Sequence, residues 1–312
     1  MSYYSEALEQ QVHQLGLWES NYGVNRARAV SAGMPKPEQT QMMIVEMLRN
    51  AQTYFVACDL AAGLAASTES LPNTVIGHDT LPHQTGWLWL EQPLTIEGLH
   101  LWDERDHKDA QLRAVAWTES FIQPTGRVYT AFQGPAPEDC PHGLGLFGFF
   151  ECGHNDHQPS PELIHFDTWL LGDRLEHLGP DLTGEYELDQ TQLLVLFVRK
   201  FFLSFSLFAA QKIVTFESLH LERHAKRRLA HQGWSSDPLV RVVKLRRADH
   251  SASSSESSES EWSCQWIVRG HWRQQFYPSK HTNHPLWITP YVKGPEDKPL
   301  KPPRATVFAV VR

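Results

Sequence analysis

The stretch Leu193–Ala210 is apolar on nearly every side of a helix, and any fold this chain adopts has to cover it. The pattern predicts a long helix from about Asp189 to Thr215 at the centre of a core. Its length approaches a membrane span, but Arg199 and Lys200 sit near its middle. Each would cost roughly 2.5–3.5 kcal/mol at a bilayer centre, so the reading is a buried helix with one solvated edge and no membrane partner. With 312 residues, 41% hydrophobic and 11% aromatic, the chain has ample material for that core, in one elaborate domain or two.

Around this helix the texture changes in order. Pro35 and Pro37 introduce Ile44, Met47, Leu48, Ala51, Tyr54, Phe55 and Cys58 at helical spacing, which predicts one amphipathic helix over about 38–66. After Ser70-Leu-Pro72 come short β-type runs at Gly86–Leu90, Leu99–Trp102, Leu112–Trp117 and Arg127–Phe132, separated by turn formers. They predict a mostly antiparallel sheet over 72–170. Further strands are expected at Leu239–Leu245, Trp262–Trp272, Pro285–Val292 and Ala305–Val311. Between the first two, Asp249–Glu261 is Ser- and Glu-rich and has too little apolar surface to fold, so it reads as a disordered hairpin loop. The expected fold class is α+β, in three parts: a helical region over 1–70, a central sheet with the long buried helix over 71–218, and a basic β module over 219–312.

Charge divides the chain at the same place. Residues 1–218 hold 12 Lys and Arg against 28 Asp and Glu, whereas 219–312 hold 16 against 8. The basic part interleaves its cations with aromatics, a composition suited to a polyanion: cations displace counterions from phosphates while flat rings stack on bases. RNA or a translating ribonucleoprotein is the expected partner. The candidate contacts are Arg223, Lys226, Arg227 and Arg228 on a short connector, Arg241, Lys244 and Arg246 on a strand, and Arg269, His271, Arg273 and Tyr277. Alternation along Trp266–Arg273 places Ile267, Arg269, His271 and Arg273 on one face of a strand, backed by Trp266, Val268, Gly270 and Trp272. Arg241, Lys244 and Arg246 repeat the basic polarity on what is expected to be a neighbouring strand.

The run Trp262–Arg273, followed by Tyr277-Pro278 and Leu286–Leu300, resembles an uncharacterised protein group common in actinobacteria and their mobile elements. Its Arg269-Gly-His-Trp272 core resembles the carboxy-terminal part of a type V anti-CRISPR family that blocks synthesis of a CRISPR effector nuclease. That resemblance implies a co-translational regulator that recognises a nascent polypeptide and brings about loss of its message, with Arg269, Gly270, His271 and Trp272 as matched positions. It implies no catalytic role for them. The chain departs from the family in its longer acidic Ser-rich loop and in the continuation Pro290-Tyr-Val-Lys-Gly-Pro-Glu-Asp297.

Other chemistries find less support. Cys140, His142, Cys152 and His154, with His157 nearby, are zinc-type ligands, but their spacing matches no familiar module, so no metal or cofactor is expected. A metal-independent ribonuclease would need His271 as general base and a second proton carrier such as His224 or His284. No phosphate loop, paired carboxylates or nucleophilic triad supports another catalytic class. A protein-binding inhibitor, its basic face docked on an acidic partner, is the remaining alternative. Four scattered cysteines and an amino terminus lacking a signal-type apolar run point to a reduced, cytoplasmic chain.

Overall fold

The computed structural model describes residues 3–20, 37–71, 77–101, 109–122, 128–130, 142–151, 161–171, 190–231, 239–245, 265–268, 270–279, 281–289, 291–295 and 298–299. The fold is α+β, and the chain forms two compact units: 1–68 with 73–246, and 69–72 with 247–312.

The large unit is built on a mixed eight-stranded sheet. Its strands are β1 (Gln52–Val56), β2 (Thr85–His100), β3 (Asp109–Ile122), β4 (Val128–Thr130), β5 (His142–Phe150), β6 (Glu162–Leu170), β7 (Val214–His220) and β8 (Leu239–Leu245). They run in the order β6-β5-β3-β2-β1-β8-β7, with β4 paired to β3. The expected antiparallel sheet is present as β2-β3-β5-β6. At its flank β1 pairs in parallel with both β2 and β8.

That central strand lies inside the segment whose spacing predicts a single helix. The segment is instead α2 (Pro37–Asn50), then β1, then α3 (Cys58–Ser67). The fully buried side chain of Gln11, on α1 (Tyr3–Ser20), explains the break. Its Nε2 donates to the Leu48 and Ala51 carbonyls at 2.7 and 3.2 Å, occupying carbonyls at the helix end, and its Oε1 accepts from Thr53 at 2.5 Å. The Thr-Tyr-Phe-Val run that follows is β-branched and aromatic, suited to a strand. Buried on both faces, it mimics helical periodicity.

Adjacent β1 side chains enter different cores. Phe55 joins Trp87, Trp89, Phe147 and Phe149 beneath α1, α2 and the short α5 (Arg223–His231). Tyr54 faces the other way and meets Trp117, Phe205 and Phe216 at ring distances of 5.6–5.7 Å. Phe205 belongs to α4 (Gln190–Ala209), the expected long helix. This helix is long and apolar enough to cross a membrane, yet 56% of its Gln192–Ala209 window is buried inside the fold. Every residue from Phe201 to Phe208 is buried, and Arg199 and Lys200 form the half-exposed edge. Buried Ser204 is satisfied by Ser67 of α3, with their hydroxyls 2.8 Å apart.

The small unit holds two two-stranded antiparallel sheets: β9 (Trp266–Val268) with β12 (Tyr291–Lys293), and β10 (His271–Tyr277) with β11 (Thr282–Ile288). Two expectations change here. The strand over Trp262–Trp272 is not continuous, because β9 and β10 belong to different sheets. Leu239–Leu245, expected to pair beside the basic strand, belongs as β8 to the sheet of the large unit, hydrogen-bonded between β1 and β7. The compact units divide between Arg246 and Arg247. The Ser-rich loop over 249–261 and the strand expected at Ala305–Val311 lie outside the described residues.

Candidate nucleic-acid interface

The basic connector after β7 is a helix. In α5, Ala225 and Leu229 are one turn apart and buried, which anchors the helix and turns Arg223, His224, Arg227, Arg228 and His231 outward. Arg228 pairs with Glu9 of α1. Arg223 and Arg227 have no ion pair among the described residues. Lys226 is half-buried.

The cations of β8 are engaged within the large unit. Arg241 lies opposite Tyr54 in the β1-β8 register, its guanidinium carbon 6.0 Å from the ring centre. Burial pushes the Tyr54 hydroxyl up to about 12, against the opposing pull of the Arg241 charge, and the hydroxyl donates to the Pro82 carbonyl at 3.2 Å. Lys244, three positions on, points to the opposite face and pairs with Glu217. Arg246 and Arg269 lie outside the described residues.

In the small unit the β10-β11 register builds a hairpin with two distinct ends. At its base Trp272 faces Trp287, with ring centres 5.3 Å apart, and both are buried. The backbone N–H of Trp272 donates to the Ser70 hydroxyl at 3.3 Å. Toward the tip burial disappears: Phe276 is 49% and Tyr277 39% exposed. The Pro278–His281 turn is closed by the His281 N–H and the Pro278 carbonyl at 3.4 Å, with His281 in the left-handed region at φ 49°.

The alternation expected around Arg273 holds within β10. His271, Arg273, Gln275 and Tyr277 share one face, opposite Ile288, Leu286, His284 and Thr282, while Trp272 lies on the other. His271 is half-buried, and Arg273 is exposed with no ion pair among the described residues. The Tyr277 and His284 rings meet edge-on at 5.5 Å and 77°, and Thr282 Oγ1 lies 2.9 Å from His284 Nε2. His284 is paired with Gln275, four residues along β10 from His271, a separation of roughly 13 Å at strand rise. These two histidines therefore do not converge on one phosphate as an acid–base pair.

No group of three metal-ligating side chains forms among the described residues. Of the zinc-type candidates only His142 is described. Its ring lies edge-on to His78 at 4.7 Å, and His78 Nδ1 is 2.7 Å from Glu119 Oε1. Cys140, Cys152, His154 and His157 lie outside the described residues.

Phe276, Tyr291 and Val292 carry no individual site signal in the sequence. Phe276, Tyr291 and Val292 are exposed large hydrophobics, Tyr291 at 40% and Val292 at 54%. One sequence signal does mark this region. From Trp262 to Pro295 there is no Asp or Glu, against Arg269, Arg273, Lys280 and Lys293. Such a run has no internal carboxylate with which to neutralise its own cations.

No family model and no curated protein matches this chain. Among solved structures, the crystal structure of AcrVA2, an anti-CRISPR protein, is loosely similar, at 10% identity and a TM-score of 0.40 over 93% of this chain and 94% of that one.

Proposed function

We propose that this protein binds RNA, or a ribonucleoprotein engaged in translation, through its basic carboxy-terminal surface, and regulates by binding. The observation that carries the reading is the acid-free Trp262–Pro295 stretch, where exposed Arg273 and exposed Tyr277 share one face of β10 and Arg273 has no carboxylate partner among the described residues. A cation paired within the fold gains little from a phosphate, whereas an unpaired one gains the full counterion-release term. By that criterion Arg223, Arg227 and Arg273 lead. Arg228, Arg241 and Lys244 follow, because each is engaged by Glu9, Tyr54 or Glu217.

The resemblance of Arg269-Gly-His-Trp272 to the type V anti-CRISPR family extends the proposal to an inhibitor of target-protein synthesis acting in the cytoplasm. The acidic large unit is then available for the polypeptide target.

The test is RNA affinity of the whole chain across a salt series. Each phosphate contact on a single strand contributes roughly 0.7 to the slope of log affinity against log salt. Arg273→Ala and Arg227→Ala should each weaken binding and flatten the slope by about that amount, with no cleavage of the RNA by any variant. A wild type without salt-sensitive RNA binding defeats the proposal and leaves the protein-binding inhibitor. Cleavage by the wild type, abolished in His271→Ala with binding retained, would make the chain a ribonuclease.

A further inference from the structure

The end of the β10-β11 hairpin exposes aromatic surface on both faces at once. Tyr277 lies on the Arg273 face, and its neighbour Phe276 lies on the Trp272 face opposite exposed Asn283. A hairpin that served only to cover a core would place such rings inward, as its own base does with Trp272 and Trp287. Arg273, His281 and His284 are exposed on this hairpin, within a stretch that has no carboxylate.

Along the Tyr277 face the side chains form a row. Arg273, Gln275 and Tyr277 follow at intervals of about 6.8 Å, presenting a cation, an amide and a ring in turn. The edge-on contact with His284 leaves at least one face of the phenol ring uncovered by the imidazole, and the Thr282 hydroxyl holds that imidazole in place. An oriented ring with an open face, on the same strand face as a cation, suits a nucleobase. A base offers its flat face only when it is unpaired: in an A-form duplex the faces are closed by stacking, and the deep, narrow major groove excludes side chains.

We infer that the β10-β11 hairpin is a stacking finger for unpaired RNA, with Tyr277 carrying a base and Arg273, roughly 13 Å along the same face, a phosphate farther along that strand. This rests on the RNA reading above and narrows it to single-stranded RNA.

The experiment compares binding of a fluorescent single-stranded RNA and a duplex of equal length to the full chain, each across a salt series. The proteins are the wild type and Tyr277→Ala, Tyr277→Leu, Tyr277→Phe and Arg273→Ala. Tyr277→Ala and Tyr277→Leu should lose at least about fivefold in single-strand affinity, since removing one base–aromatic stack costs on the order of 5- to 150-fold. Their salt slope and duplex affinity should stay at wild-type values, and Tyr277→Phe should bind as the wild type does. Leucine keeps apolar bulk without a π face, so the Leu and Phe pair separates stacking from loss of structure. If Tyr277→Ala and Tyr277→Leu bind the single strand as tightly as the wild type while Arg273→Ala is weakened, the RNA reading stands and the finger is wrong. Equal losses on single strand and duplex also overturn it. A wild type that binds neither RNA defeats the underlying reading and the finger with it.

Discussion

In the large unit Trp87, Trp89, Trp117, Tyr54 and Phe201 are no more than 1% exposed, packed on the two faces of a sheet whose central strand is covered on both. In the small unit only Trp272 and Trp287 are buried among the described residues, and Phe276, Tyr277, Tyr291 and Val292 stand in solvent. Charge follows the same division. Arg113 in the large unit, 8% exposed, lies 4.2 Å over the Trp89 ring and is paired with Glu6 and Glu151, while the stretch Trp262–Pro295 has no carboxylate at all. Within its core the large unit uses rings and cations to satisfy one another, and its unpaired cations, Arg223 and Arg227, lie on the exposed face of α5. The small unit leaves both available, which is the arrangement expected of a recognition surface.

The sharpest way to break this contrast is to truncate one aromatic in each region. Trp117 is fully buried, donates from Nε1 to the His83 carbonyl at 2.8 Å and packs on Phe202 at 5.0 Å. Trp117→Ala should lower the unfolding free energy of the large unit by about 3–5 kcal/mol, measured by urea denaturation. Tyr277→Ala should change it by less than about 0.5 kcal/mol. Similar losses from both would mean the hairpin tip is structural.

Next in size is an alkaline effect confined to Tyr54. Its folded pKa, about 12, exceeds the ordinary value of 10.0. The neutral phenol therefore contributes stability that is fully present below pH 10 and lost as pH rises to 12, because the unfolded chain ionises first. That difference corresponds to about 3 kcal/mol. Tyr54→Phe should abolish that part of the alkaline slope, and identical slopes for the two proteins would show that Tyr54 is not shielded.

A smaller loss is expected at Gly86, whose position opposite Trp117 leaves no room for a side chain. A Cβ there would come within 2.1 Å of the Trp117 ring. Gly86→Ala should cost about 1–3 kcal/mol through overpacking, and a thermal scan indistinguishable from wild type would show that the ring can move aside. The least effect belongs to the hairpin turn. His281 pays for a left-handed conformation that glycine adopts freely, so His281→Gly should leave thermal stability unchanged or raised by at most about 1 kcal/mol, with RNA binding retained. A marked loss of RNA affinity would make His281 a contact.

Local pattern was enough to determine that Leu193–Ala210 is an interior helix, since a segment apolar all round has nowhere else to go. It also determined the antiparallel runs around Gly86–Leu90 and Leu112–Trp117, and the outward cations of a short basic segment after residue 221. The tertiary structure alone decided that Gln52–Val56 is a central strand. Its helix-like spacing arises from burial on two faces, and the break before it depends on Gln11, some forty residues away. It also decided which cations are occupied: Arg228 by Glu9, Arg241 by Tyr54 and Lys244 by Glu217. Each partner is distant in the chain, so pairing cannot be read from charge runs. Tyr277 is expected from the sequence as a contact, whereas Phe276 beside it looks like a core residue. Only the hairpin register, which ends burial at Trp272 and Trp287, leaves their rings in solvent, because two strands without a covering layer can bury apolar side chains only where something else packs against them.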